Sequence, residues 1–284
     1  VRIDFLRPGG LPVLTHEVAV GPHARETVWV NTRGPALAST DVSAVVSTQA
    51  AAGIVAERAM YRTRDGQTFA SGHAAAGVTA PSARWLLAEG ATGPYFDLFV
   101  LLSNPGDQPA DVRLTFLLPD GSTVGSSRRL EPHSRDTVWV DHEAPAMADT
   151  AVSVVVETSP DTPVIVERSM WWPGGSATWH EAHASAGATT DGLAWAIADG
   201  EDDRSRNLTT YVLIANAGAR QGSARIRVFF EGGGEAEVWR VLPANSRTNL
   251  DVGAEVPDAQ GRRFAILVES AGSTAEKVRS AILT

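Results

Sequence analysis

One pattern is written twice in this chain, 110 residues apart, and it limits the fold more than any other feature. Thr137-Val-Trp-Val140 leads through a Pro-containing loop to Val152-Ser-Val-Val-Val-Glu157, then to Val164-Ile-Val-Glu-Arg-Ser-Met170. Earlier, Thr27-Val-Trp-Val30 leads to Val42-Ser-Ala-Val-Val46, then to Ile54-Val-Ala-Glu-Arg-Ala-Met60. Trp29 and Trp139, Glu57 and Glu167, and His73 and His183 all keep the same offset. A repeat of this length copies a whole domain, since solenoid units run to only about 20–50 residues.

The pattern within each copy is that of strands. Val1 to Leu6 alternates apolar and polar residues, as a half-buried strand does, and Pro8-Gly-Gly10 closes it with a turn. The same unit returns at Val112 to Leu118, followed by Asp120-Gly121, a good hairpin turn. A second strand follows each, at Val13 to Val20 and Thr123 to Leu130. Next come Gly21-Pro-His-Ala-Arg25 and Glu131-Pro-His-Ser-Arg135, where the histidine reads as a turn residue bonding to backbone. The second copy opens with Trp85-Leu-Leu-Ala-Glu-Gly90 and a strand from Phe96 to Ser103. A third copy reuses that opening from Trp195, with an offset of 112 at Asn104 and Asn216. The first copy lacks it, so either the fragment starts within a domain or another segment fills the gap. Short strands between Gly, Pro and Asp turns, with no apolar stripe of helical period, predict an all-β chain of antiparallel sandwiches. The domains fall at 1–84, which is incomplete, then 85–193 and 194–284.

Composition excludes several classes. With 43% hydrophobic and 20% charged residues, the 284-residue chain is ordinary folded protein. A net charge of −9 argues against nucleic acid, which needs a basic face. The absence of cysteine removes disulfides, thiolate metal sites and a thiol nucleophile, yet leaves export open. No stretch approaches the roughly 20 apolar residues that cross a bilayer as a helix, so no membrane span is expected in this segment. Val1 in place of Met reads as a processed or excised piece.

Trp85-Leu-Leu-Ala-Glu-Gly90, Leu102-Ser-Asn-Pro-Gly106, Pro132-His-Ser-Arg135, Val166-Glu-Arg-Ser-Met-Trp171, His183 and Gly187 together resemble an uncharacterised family of tandem sandwich repeats. That family occurs in large exported proteins of actinobacteria, chloroflexi and relatives. The resemblance covers nearly the whole chain, and it implies immunoglobulin-like sandwiches, secretion, and a cell-surface or matrix setting. The third copy departs at the Glu-Arg-Ser-Met motif.

Aligned copies also indicate faces. Val28 and Val30 match Val138 and Val140, and then Leu250 and Val252, so this parity is core. Between them stand Trp29, Trp139 and Asp251, and a position that accepts Asp lies outside, because an unpaired buried carboxylate is costly. Trp29 and Trp139 are thus candidate surface-binding residues, as a stacking platform for a sugar ring. The rival reading packs them on an arginine of the next strand or on the adjoining domain. Glu57 and Glu167 align with Arg279, which is flanked by Lys277, and are expected in solvent. Arg58 and Arg168 face inward and need a partner, for which Glu89 or its counterpart Asp199 qualifies. These four, with His73 and His183, read as recurrent structural polar residues, the histidines binding or capping turns. His180 and His183 sit three apart in an extended segment and point to opposite faces, which argues against a shared metal ion. Asp199-Gly-Glu-Asp-Asp203 lacks calcium-loop spacing and reads as a solvated charged turn.

The expectation is therefore a non-catalytic structural or adhesive repeat segment of an exported bacterial surface or extracellular protein, able to form filaments. It carries no cofactor and no metal, and its partners are other domains of the same protein or neighbouring copies of itself. The alternative is a glycan-binding module built on the outer tryptophans. A glycosidase needs two carboxylates facing each other across ~5–10 Å, and no such pair is suggested.

Overall fold

The computed structural model describes residues 1–64, 66–175 and 179–271, and these are mostly β-strand. In the first segment, β1 (Arg2–Pro8) lies between β2 (Leu14–Glu17) and β3 (Ser43–Ser47), antiparallel to both. A separate hairpin joins β4 (Glu57–Arg64) to β5 (Gln67–Ala76). The core here is small. Ile3, Phe5 and Leu37 are buried, with Val28, Val30, Val42 and Val46 partly so.

The central segment is built from eight strands. They are β6 (Arg84–Leu87), β7 (Asp97–Asn104), β8 (Ala110–Leu117), β9 (Thr123–Leu130), β10 (Ser134–Trp139), β11 (Ser153–Glu157), β12 (Ile165–Trp172) and β13 (Glu181–Ala186). One sheet runs β6-β11-β8-β9 and the other β13-β12-β7-β10, all neighbours antiparallel. Alternation sets which side chains go inward. Leu98, Val100 and Leu102 of β7 enter the core, as do Val112, Leu114 and Phe116 of β8, Val138 of β10, and Val154 and Val156 of β11. Both sheets feed one buried cluster, and transfer of such side chains from water, at about 25 cal/mol per Å², is what drives the layers together. The hairpin at Asp120-Gly121 forms as its sequence predicts. The Asp120 carboxylate accepts the Ser122 amide at 2.9 Å, and Gly121 takes φ 84°.

The last segment repeats this arrangement in part. β14 (Ala194–Asp202), β16 (Gly222–Phe230), β17 (Glu235–Leu242) and β19 (Arg262–Ser270) form one sheet in the order β14-β19-β16-β17. β15 (Tyr211–Asn216) pairs with β18 (Ser246–Asp251), and a single-turn helix α1 (Val252–Glu255) follows. The expected low helix content holds among the described residues. Lys277 and Arg279, aligned above with Glu57 and Glu167, lie outside them.

Three sequence expectations are corrected. Thr27 to Val30 is not a strand. Its counterpart β10 is held by pairing with β7, and no strand of the first segment takes β7's place. Ile54 to Ala56 precede β4 outside any strand, although the Ala56 carbonyl accepts the Gly77 amide at 2.9 Å. The Asp199 to Asp203 stretch is not a solvated turn, because β14 runs through to Asp202. That carboxylate is fully buried and accepts from Arg204 Nε at 3.2 Å and Gln260 Nε2 at 2.7 Å. Glu201 is paired with Arg206 and Arg263.

The segments meet along matched seams. The end of β1 bridges β10 in parallel, Arg7 opposite Ser134 and Pro8 opposite Arg135. Leu118, at the corresponding end of β8, accepts the Arg247 amide at the start of β18. Gly10 and Gly121 have φ of 66° and 84°, and each lies against the loop ahead of the next segment's strand. A Cβ would come within 3.0 Å of Glu131 at Gly10 and 3.2 Å of the Ala244 carbonyl at Gly121.

Candidate functional site

The loop before each of these strands is built by one asparagine. Asn104 Nδ2 donates to the carbonyls of Gln108 and Glu131, and its Oδ1 accepts the Gly106 amide. Asn216 does the same with Arg220, Pro243 and Gly218. Ser134 and Ser246 hydroxyls each donate to the carbonyl three residues back. The exchange of histidine for asparagine in this loop follows from backbone shape. His23, His133 and Asn245 all have φ near 50°, a left-handed conformation that Asn and His adopt more readily than most residues. The expected side-chain bond to backbone is not what His133 makes, since its Nε2 lies 2.8 Å from Asp107 Oδ1.

What the loop presents is an arginine. Arg135 is buried at the seam with the first segment, where its Nη1 donates to Asp41 Oδ2 at 2.8 Å and to Thr137. Arg247 is buried at the next seam and donates to the carbonyls of Gly90 and of Val152, the latter at 2.7 Å. Burial draws its pKa down to about 10, with Glu89 acting against that and Arg168 adding to it. Arg25, the counterpart in the first segment, is exposed. Sequence reading noted this arginine only as part of a turn. Its presence at all three positions, beside a neighbour that changes, was the available signal.

Around Arg247 gathers the charge cluster expected for Arg168. Arg168 Nη2 meets Glu89 Oε2 at 2.6 Å, its Nη1 donates to the Glu89 carbonyl at 2.8 Å, and His183 Nε2 lies 3.4 Å from Glu89 Oε1. Burial alone would raise the Glu89 carboxyl, but the His183 hydrogen bond and the Arg168 charge outweigh it and bring it down to about 2. The expected Arg168–Glu89 pairing is therefore present. Arg58 behaves differently. Its Nη2 reaches Glu167 Oε2 of the central segment at 2.9 Å, so Glu167 is part-buried where solvent was expected, while Glu57 is exposed as expected. His73 and His183 belong to strands and not to turns. His73 Nε2 lies 3.3 Å from the Ser169 hydroxyl, and its ring stands edge-on to Trp171 at 5.3 Å. Burial, with Arg58 and His183 adding to it, pushes the His73 imidazole down to about 4.

The contacts of Glu167, Ser169 and Trp171 lie on the outer face of β12, and across this face, over β7 and β10, a run of aromatic rings forms. Trp171 stacks on Trp179 at 5.1 Å, Trp179 meets Phe99 at 5.7 Å, and Phe99 meets Trp139 at 5.2 Å. Trp139 also stacks on His142 at 4.3 Å. Trp179 Nε1 donates to Asp97 Oδ2 at 2.5 Å, and its carbonyl accepts from Arg62 of the first segment at 3.1 Å. Trp139 thus lies on the outer side, as parity predicted, half-buried among Phe99 and His142 in place of an arginine. Trp29 stands 63% exposed. The sequence signalled the Trp139 position by alignment, but gave no sign that Phe99, Trp171 and Trp179 join it.

No cluster of three or more metal-ligating side chains occurs among the described residues, and no helix there is long and apolar enough to cross a membrane. The chain matches no protein-family model and no curated protein. Among the solved structures that resemble parts of it are the following two. The Thermotoga maritima 1070 crystal structure has a TM-score of 0.35 at 18% identity, over 40% of this chain and 99% of that one. The Anabaena sensory rhodopsin transducer has a TM-score of 0.28 at 24% identity, over 32% and 99%. At these scores neither carries an argument about function.

Proposed function

We propose that the chain is a non-catalytic structural or adhesive segment of an exported bacterial surface or extracellular protein, made of immunoglobulin-like sandwich modules joined in series. The observation that carries this reading is the seam made twice from the same positions. Ser134-Arg135 meets the end of β1 where Ser246-Arg247 meets the end of β8, with Gly10 and Gly121 against the following loop. A buried arginine whose donors are used on the neighbouring module fixes orientation, which suits a protein whose task is to hold shape. Recurrence of Glu-Arg at 57–58 and 167–168 fits a scaffold better than a catalyst, since an enzyme rarely needs its site copied along one chain.

Arg247→Ala tests the reading through shape and coupling together. Small-angle scattering is expected to show a broader distribution of end-to-end lengths than the native chain. Calorimetry is expected to resolve separate melting of the central and last modules. Unchanged scattering and a single unchanged transition overturn it. The second reading, a glycan platform, draws support from Trp29, which is 63% exposed and has no partner ring among the described residues. It is tested by oligosaccharide titration of the native chain against Trp29→Ala, where loss of a fluorescence response supports sugar binding.

A further inference from the structure

β16 and β17 stand 112 residues beyond β8 and β9, so each residue of one hairpin has a counterpart in the other. Inward positions keep their character. Val112, Leu114 and Phe116 become Ala224, Ile226 and Val228, all of them core residues. The solvent-facing positions do not. Thr115, Gly125 and Ser127 become Arg227, Glu237 and Trp239, and Phe229 stands where β8 ends in Leu117. Trp239 and Phe229 are half-buried, and the core of the last segment includes neither ring. The central segment folds with Thr, Gly and Ser on this face, so folding does not call for the rings.

We propose that the outer face of β16, β17 and β19 is a binding face for a neutral polysaccharide. Trp239 is its platform, and the polar groups beside it are already oriented. Glu237 accepts from Arg225 Nε at 2.7 Å and from Trp239 Nε1 at 2.6 Å. Glu269 accepts from Arg227 Nε at 3.2 Å, and the Arg227 guanidinium lies 5.1 Å from the centre of the Phe229 ring. Arg225 and Glu237 keep 38% and 39% of their side chains exposed, with donors and lone pairs left over. A sugar ring matches this arrangement, with C–H bonds on one side to lie on an indole and hydroxyls at the rim that donate and accept. Charge and size choose among ligands. Arg225 and Arg227 are matched by Glu237 and Glu269, so the face has no excess positive charge to attract an anionic chain. Three strands about 4.8 Å apart, with outward residues about 6.7 Å apart along each, give a face of roughly 10 by 20 Å. That is far below the ~800 Å² a side of a stable protein interface, yet it spans several sugar rings.

The site gives the adhesive role proposed above a ligand and rests on that reading, while its test leaves Arg247 and Trp29 untouched, so either can fail alone. The full chain is run by affinity electrophoresis through gels holding a neutral β-glucan, a neutral α-mannan or an anionic galacturonan. Retardation is expected in at least one neutral gel and not in the anionic one. Trp239→Ser installs the residue of the matching central strand. It is expected to weaken retardation at least about tenfold, as loss of an aromatic anchor does, with thermal melting nearly unchanged. Arg227→Thr, chosen in the same way, is expected to weaken it by less, and is the readout if the first variant misfolds. Neutral-gel retardation that a folded variant loses supports the proposal. No retardation in either neutral gel, retardation only in the galacturonan gel, or retardation that the folded variants retain overturns it. So does sedimentation of the native chain as a dimer that Trp239→Ser dissolves, which would make the face a contact between copies.

Discussion

Val28 and Val138 hold the same place in the two leading segments, as do Met60 and Met170, Arg58 and Arg168, and Trp29 and Trp139. The central member of each pair is the more buried. Local sequence is nearly the same, so the difference comes from the partner strands. β7 turns the Thr137 to Trp139 stretch into β10 by accepting and donating along its whole length, and the lack of such a strand leaves Thr27 to Trp29 irregular. A β-strand is a property of a pair, and its side chains are buried only once a second layer stands opposite.

The largest test of this contrast is a buried charge. Val138→Asp places a carboxylate in a fully closed core and is expected to cost the central segment about 4–5 kcal/mol or more, enough to unfold it. Val28→Asp, at a half-open site, is expected to cost below about 1.5 kcal/mol. Urea unfolding followed by tryptophan fluorescence reads both, and equal losses would mean that the first segment has a closed core after all.

Next in size is the arginine pair. Arg168→Ala removes the partner of a part-buried Glu89 and is expected to cost about 3–5 kcal/mol, as breaking buried ion pairs does. Arg58→Ala breaks a pair that solvent already screens and is expected to cost below about 1 kcal/mol. Adding Glu89→Gln to Arg168→Ala is expected to restore part of the loss. If the double change is no better than the single, the arginine acts through packing and not through charge.

Acid offers a third way in. His73 is held neutral, its pKa near 4 against 6.5 when unfolded, so the stability it contributes is complete above pH 6.5 and drains away as pH falls toward 4. The facing groups are Arg58, His183, Ser169 and Trp171, and none is an acid that would welcome the new charge. On the order of 1–3 kcal/mol is expected to be lost across that window, loosening the β4–β5 hairpin from β12. Glu89 adds a further loss between pH 4.5 and 2, where its lowered pKa is passed. Limited proteolysis of the hairpin at pH 7 and pH 4.5 separates the two. His73→Phe, neutral at both, is expected to remove the difference, and persistence of the difference would assign it elsewhere.

The all-β character was legible from strand periodicity and turns, as was the pairing of Arg168 with Glu89, because both depend on pattern within one segment. What escaped was contact between segments. Nothing local in Arg58 or Glu167 says that they meet, and parity placed Glu167 in solvent because it took the outer face to be bare. Asp202 escaped for a related reason. Four acids in five residues look solvated until Arg204, Gln260, Arg206 and Arg263 are brought to them from other turns and strands. The buried arginines 135 and 247 were visible as a retained letter, but their carbonyl and carboxylate acceptors belong to the neighbouring segment.

The smallest effects lie at the tryptophans, where the copies and the structure disagree about Trp139. Asp251 at the aligned position predicts that Trp139→Asp is tolerated with melting nearly unchanged. Asp251, however, has local partners that Trp139 lacks, since its carboxylate caps the Ala254 amide at 3.1 Å and pairs with Arg204 at 2.7 Å. Trp139 instead shares ring faces and edges with His142 and Phe99. Aromatic contacts of this kind are worth about 0.5–1.5 kcal/mol each beyond area burial, so Trp139→Asp is expected to cost about 1–2 kcal/mol. Trp29, with no partner ring among the described residues, is expected to lose less than about 0.5 kcal/mol on the same change. Thermal melts of the two variants side by side decide the matter. A Trp139 variant as stable as the Trp29 variant would show the ring run to be a surface coincidence, and would return the outer face of β10 to solvent.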